Sequence, residues 1–217
     1  IQIENEYYSS IRPKRVTPAG ERPINILKNE GIDYVEIRAL DNNSFLPSGI
    51  DEDTSYFLEA YLIGCFFGED RKSNQNEIKE LLVNWENVVK EGRNPDLKLL
   101  KNKEKIAVKD AGMKVVDSLR DIFKQMPPEM SDYVEKVMKS LDKQEEKLND
   151  ASLTPSGLII EELQNNNKTW EELNLELAIG HSDSLKNKKV DLKYLYEEAK
   201  SSLKKFNDAE RREEEPF

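Results

Sequence analysis

The chain has 217 residues, with Lys+Arg 33 against Asp+Glu 43 and a formal net charge of −10. Charged residues make up 35% and hydrophobic ones 37%, at a mean hydropathy of −0.77, so the chain is charge-rich yet apolar enough to bury a core. The acidic balance argues against a nucleic-acid-binding surface, no run of about 18 apolar residues exists to span a bilayer, and one Cys and one His leave no internal disulfide, Cys-based zinc site or His-rich metal centre.

Ile1-Gln2-Ile3 opens inside a strand-like pattern without an initiator Met, which predicts a piece of a longer polypeptide. A reducing, cytoplasmic compartment fits the single Cys65. Ile1, Ile3 and Tyr7 alternate with Gln2, Glu4 and Glu6, the period-two pattern of a half-buried strand. Pro23 to Glu30 reads as a short helix stopped at Gly31. Ile32 to Leu40 alternates again, with Val35, Ile37 and Ala39 on an apolar face and Tyr34, Glu36 and Arg38 on a polar one.

After Asp51 the period becomes helical. Phe57, Leu58, Tyr61, Leu62, Cys65 and Phe66 form a wide apolar stripe between Asp53 and Phe67. Asn74 and Glu77 predict a capped helix that runs to Glu91 and ends at Gly92. Val108 to Met126 is helical until Pro127-Pro128. Asp132 with Glu135 is expected to cap a helix to about Leu148. Thr169-Trp170-Glu171-Glu172 opens another, and Asp191 to Glu215 closes the chain as a charged helix. These elements predict an α+β fold: residues 1–50 as part of a sheet region, then a mainly helical region over 51–217.

Two clusters carry candidate chemistry. Glu36 and Arg38 share a strand face, and a carboxylate beside a guanidinium suits a divalent cation and the phosphate oxygens it bridges. The alternative is a solvated ion pair on an exposed face. Arg12-Pro13-Lys14-Arg15 places three cations in four residues, suited either to an anion such as a nucleotide or to a solvated basic turn. Glu4 adds a carboxylate on the first strand, again either ligand or surface. Cys65, Trp85 and Trp170 read as core side chains on helix faces, and His181 as a capping or solvent residue.

The residues also carry a family resemblance. Ile1-Gln2-Ile3-Glu4-Asn5-Glu6-Tyr7-Tyr8, Ile11-Arg12-Pro13-Lys14-Arg15-Val16 and Gly31-Ile32-Asp33-Tyr34-Val35-Glu36-Ile37-Arg38 resemble the bacterial, proteobacterial-type glutamate–cysteine ligases. The likeness continues through Gly49-Ile50-Asp51-Glu52, Val83-Asn84-Trp85 and Glu91-Gly92-Arg93-Asn94-Pro95, and it is weakest over Lys101 to Lys205. The resemblance implies antiparallel strands of a glutamine-synthetase-like carboxylate–amine ligase sheet, followed by helices. It implies ATP, L-glutamate and L-cysteine as substrates and Mg²⁺ (or Mn²⁺) as cofactor. It also implies a metal ligand in Glu36, with Glu4 a further candidate, and a phosphoryl contact in Arg38. Asn5, Tyr8, Arg12 and Arg15 become candidate nucleotide-binding residues. The N-terminal part of the same ligase would supply the rest of the site, so this chain alone is expected to be inactive. A non-catalytic helical scaffold and a related ligase with another amine acceptor remain as alternatives.

Overall fold

The computed structural model describes residues 9–18, 20–68, 71–186, 188–189 and 191–213. The predicted strand Ile1–Tyr8 therefore lies outside the described residues, and Glu4, Asn5 and Tyr8 lie there with it. Among the described residues are four short strands, in two antiparallel pairs, and eight α-helices, an α+β arrangement dominated by helix.

The first pair joins β1 (Ile11–Lys14) to β2 (Tyr34–Ile37), with α1 (Pro23–Glu30) between them. Pro23 opens α1, where a missing N–H costs nothing, and Gly31 closes it at φ 83°, a conformation that suits glycine. The cluster Arg12-Pro13-Lys14-Arg15, read as an anion site or a basic turn, is thus strand as far as Lys14. Its cations and Pro13 conceal the alternation, and proline is tolerated there because β1 pairs with β2 alone among the described strands. The second strand is shorter than expected, four residues rather than Ile32 to Leu40. Its apolar face is also not packed away: Val35 and Ala39 are exposed, and Ile11 across the pair is exposed as well.

The core lies further along the chain. α2 (Glu52–Phe66), α4 (Val108–Phe123) and α5 (Ser131–Asn149) bury Ala60, Val116, Leu119, Phe123, Val137 and Leu141 against one another. Tyr133 packs its ring against Tyr56 and Phe123, at centroid distances of 5.8 and 6.0 Å. Asp51 caps α2 by accepting the Thr54 N–H at 2.7 Å, and Glu52 and Asp53 favour its positive end. Salt bridges from Lys143 to Asp53 and from Arg120 to Asp142 lace the edges of the trio. α5 starts without the expected Asp132 cap. A 3-10 turn at Pro128–Met130 feeds directly into it and leaves Asp132 in its first turn.

α3 (Gln75–Glu91) has the predicted reciprocal cap: Asn74 accepts from the N–H groups of Asn76 and Glu77, and Glu77 accepts the Asn74 N–H at 2.8 Å. It leads to an unpredicted hairpin, β3 (Lys98–Lys101) and β4 (Glu104–Ala107), turned by Asn102 and Lys103 at φ 53° and 67°. α6 (Pro155–Asn166) was also not anticipated; Thr154 caps it through the Gly157 N–H at 3.1 Å. The chain divides into two compact units, residues 1–170 and 171–217. The second holds most of α7 (Trp170–Lys186) and all of α8 (Leu192–Glu213), the two closing helices that the sequence predicts.

Three burial expectations are corrected. Cys65 is exposed, and Trp85 and Trp170 are each about half exposed. Helical spacing sorts these side chains onto faces, but those faces are at most half covered among the described residues. No described helix is long and apolar enough to cross a membrane.

Candidate active site

Antiparallel register fixes which side chains of the first sheet share a face. Arg12 lies opposite Glu36 and Lys14 opposite Tyr34, so Arg12, Lys14, Tyr34 and Glu36 line one side. Arg38 follows β2 and stays in register, because its N–H donates to the Ser10 carbonyl at 2.7 Å. The pairing of Glu36 with Arg38 that strand alternation predicts is present: Arg38 Nε donates to Glu36 Oε1 at 2.6 Å. Lys14 Nζ reaches the other oxygen, Glu36 Oε2, at 3.2 Å.

Glu36 is therefore held from both ends. The Arg38 guanidinium, with Lys14 behind it, keeps the Glu36 carboxyl below its ordinary range against a smaller opposing effect of desolvation. Lys14 was read only as part of a basic cluster. Its role here is cross-strand, and the signal that would have found it is the pairing of the Arg12–Lys14 segment with Tyr34–Glu36.

Arg15 leaves this face. Its Nε donates to Glu30 Oε2 at 3.0 Å, and its Nη1 donates to the Glu30 carbonyl at 3.1 Å and pairs with Asp33 Oδ1 at 2.7 Å. These contacts clip the end of β1 to the exit of α1, ahead of β2. Arg12 stays on the charged face beside Glu36.

Among the described residues, the face sets three cations, Arg12, Lys14 and Arg38, beside one carboxylate, Glu36. Glu36 is the carboxylate that this face offers to a cation, and no described group of three or more acidic, His or Cys side chains is placed to hold one. A concavity of about 970 Å³ lies beyond β2, between the Ala39–Asp51 segment, α2, α3, α5 and the start of α6.

The profile of the family described as glutamate-cysteine ligase matches residues 1–88, the segment that holds this charged face. A glutamate–cysteine ligase of Pseudomonas putida is 37% identical over 186 residues, which is 86% of this chain and 35% of that protein. One from Janthinobacterium is 33% identical across 100% of this chain and 41% of its own length. The chain belongs to the glutamate–cysteine ligase family. A crystal structure of the Francisella tularensis glutamate–cysteine ligase, in complex with AMP, superposes over 100% of this chain and 42% of its own, with a TM-score of 0.86 at 32% identity. The chain thus spans well under half the length of these relatives.

Proposed function

We propose that this chain is the C-terminal portion of an ATP-dependent ligase that joins the γ-carboxylate of L-glutamate to the amine of L-cysteine, the first step of glutathione synthesis. The observation that carries the reading is the charged sheet face, where Arg12, Lys14, Glu36 and Arg38 meet inside the family-matched segment. The AMP held by the Francisella relative supports a nucleotide as co-substrate. A cytoplasmic location, where ATP and reduced cysteine are both available, belongs to this reading.

In this reading a glutamate γ-carboxylate oxygen attacks the terminal phosphorus of ATP, and ADP leaves. The protein's work is positioning and charge neutralisation, because little covalent help is needed. Arg38 presents its planar fork to the moving phosphoryl oxygens, and Glu36, gripping Nε, fixes the plane of that fork. Lys14 and Arg12 line the approach for the nucleotide anion, Asn5 and Tyr8 stay candidates for the same role, and Arg15 acts by holding the strand. The cysteine amine then attacks the γ-glutamyl phosphate carbonyl, Arg38 steadies the oxyanion, and phosphate departs as the amide forms. Glu36, with Glu4 as a further candidate, would help to hold Mg²⁺ (or Mn²⁺), which when bound would supply charge neutralisation on the phosphates.

The test uses the full-length ligase and follows phosphate release from ATP with glutamate, with and without cysteine. Release should need both amino acids, and Arg38→Lys should lower kcat by about 10²-fold or more, since an ammonium cannot replace the fork. Wild-type turnover in Arg38→Lys would end that assignment. Release with a different amine but not cysteine would keep the chemistry and change the acceptor. Absence of release under any pairing would leave a scaffold. The 217-residue chain alone should make no γ-glutamylcysteine, because two short strands cannot enclose a site.

A further inference from the structure

Between the charged face and the helical core the chain makes a closed loop. Arg38 is tied to Ser10 through its backbone N–H. Twelve residues separate it from Asp51, which caps α2 through Thr54 and so belongs to the packed core. An unconstrained link of that length would reach about 40 Å. This one is constrained. The Asn43 N–H donates to the Gly49 carbonyl at 2.9 Å, and the Gly49 N–H donates to the Leu46 carbonyl at 3.0 Å. Inside the loop the Asn43 carbonyl accepts the Leu46 N–H at 3.0 Å, and Asn43 Oδ1 accepts the Phe45 N–H at 3.1 Å. Asn43 is thereby clasped to Gly49, and the five residues Ser44 to Ser48 drop out of the mechanical path. Their removal takes about 17 Å from the reach of the link.

Gly49 allows the clasp to shut. It sits at φ 74°, and a β-carbon there would overlap Asn42 Oδ1 and stand 2.9 Å from Asn42 Cγ. The Asn42 carboxamide, immediately ahead of the clasp, therefore lies against the bare Cα of Gly49. Two separate requirements, backbone conformation and space, fall on one residue. Gly20 supplies the contrast. It has φ 86°, yet a β-carbon there would meet nothing within 4 Å.

We propose that Asn42 and Gly49 are positioning residues for Arg38: their clasp fixes the length of the link through which the start of α2 holds the end of β2. They act through the backbone of Arg38. A phosphoryl contact tolerates little error, since a displacement of about 1 Å costs about 10²-fold in rate. The helical core thereby sets where the guanidinium fork stands. The inference rests on the role proposed above for Arg38.

The test uses the full-length ligase and three variants: Gly49→Ala, Gly20→Ala, and Gly49→Ala combined with Asn42→Gly. Phosphate release with ATP, glutamate and cysteine gives kcat and KM. Amide exchange is read by mass spectrometry on peptides covering Glu36–Leu40 and α2. Gly49→Ala should lower kcat about tenfold or more and leave KM for both amino acids within about threefold. It should also speed exchange over Glu36–Leu40 about tenfold, while α2 exchanges as in the parent. Gly20→Ala carries similar backbone strain in open space and should keep kcat within about twofold. Asn42→Gly removes the overlap and should restore part of the kcat lost in Gly49→Ala. If Gly49→Ala does not fold, Asn43→Ala, which frees the Phe45 N–H, should show both changes at about two- to fivefold. Parent-like kcat with parent-like exchange in a folded variant would overturn the inference. So would an equal loss of kcat in Gly49→Ala and Gly20→Ala, or a loss matched by faster exchange in α2. Faster exchange over Glu36–Leu40 beside unchanged kcat would uphold the clasp and overturn instead the role given to Arg38.

Discussion

Gly112 on α4 lies directly against Leu148 on α5: a β-carbon at position 112 would stand 2.5 Å from Leu148 Cδ2 and 2.8 Å from Cδ1. This approach lets the two helices close over Val116 and Leu141. It also sets two effects against each other in Gly112→Ala. Better helix propensity offers about 1 kcal/mol, whereas overpacking costs about 1–3 kcal/mol. Since both methyls and the Cγ of Leu148 are crowded, overpacking should win, with a net loss of about 1 kcal/mol in thermal or urea unfolding. Adding Leu148→Ala to Gly112→Ala should cost less than the sum of the two single changes. Strict additivity would mean that the helices part without strain.

Ser140 is completely buried on α5, and its Oγ has no hydrogen-bond partner among the described residues. A hydroxyl stranded in an apolar core costs about 1–3 kcal/mol of desolvation. Ser140→Ala removes that cost and one atom, so stability should rise by about 1 kcal/mol. Leu141→Ala, one residue on and equally buried, should lower it by about 2–5 kcal/mol. A Ser140→Ala chain that melts well below the parent would reveal a partner for the hydroxyl in solution.

The hairpin turn holds Lys103 at φ 67°, where a side chain is strained and glycine is not. Lys103→Gly should therefore stabilise the hairpin by about 0.5–1 kcal/mol, because relief of the left-handed strain of about 1–2 kcal/mol exceeds the entropic cost of glycine. Asn84→Ala should do the reverse, with a loss of about 1–2 kcal/mol as both backbone groups of Leu100 lose their partner. Amide exchange across Lys98–Ala107 reports both changes, slower in the first and faster in the second.

Asp51 gives the fold a pH-dependent element. Its hydrogen bonds with Thr54 hold the carboxyl below its ordinary value, against desolvation and with help from Lys143 and Lys147. The unfolded chain then takes up this proton at a higher pH than the folded one. The cap's contribution is full at neutral pH, and it fades as pH falls from the ordinary carboxylate range, about 4, through the lower folded value. Asp51→Asn keeps an acceptor at the cap, so the melting temperature of that variant should fall less than the parent's over the same acid range. Parallel curves would remove Asp51 from the acid response.

Much of this was legible where the signal is local. Gly31, the Asn74–Glu77 pair and Gly92 mark helix ends because capping involves residues three or four apart, and the structure places α1 and α3 between them. Glu36 and Arg38 could be paired from sequence because i and i+2 share a strand face. Lys14 could not, since its approach to Glu36 depends on how two strands separated by a helix come into register. The β3–β4 hairpin was missed because its turn is Asn102-Lys103, with no glycine to announce it. Trp85 and Cys65 were misjudged for a different reason. Periodicity says which side chains share a helix face, but what covers that face is decided by other parts of the protein.

The location of the core has a consequence for synthesis. The deeply packed helices α4 and α5 are neighbours in sequence and close a short loop, whereas their partner α2 reaches them across α3 and the β3–β4 hairpin, so the trio is complete only when α5 has been made. The strands that bear Arg12, Lys14, Glu36 and Arg38 are made before this trio, about a hundred residues ahead of the end of α5. At ~5–20 residues per second, roughly 5–20 s separate the two events. The charged sheet face is therefore synthesised well before the helical core that follows it can close.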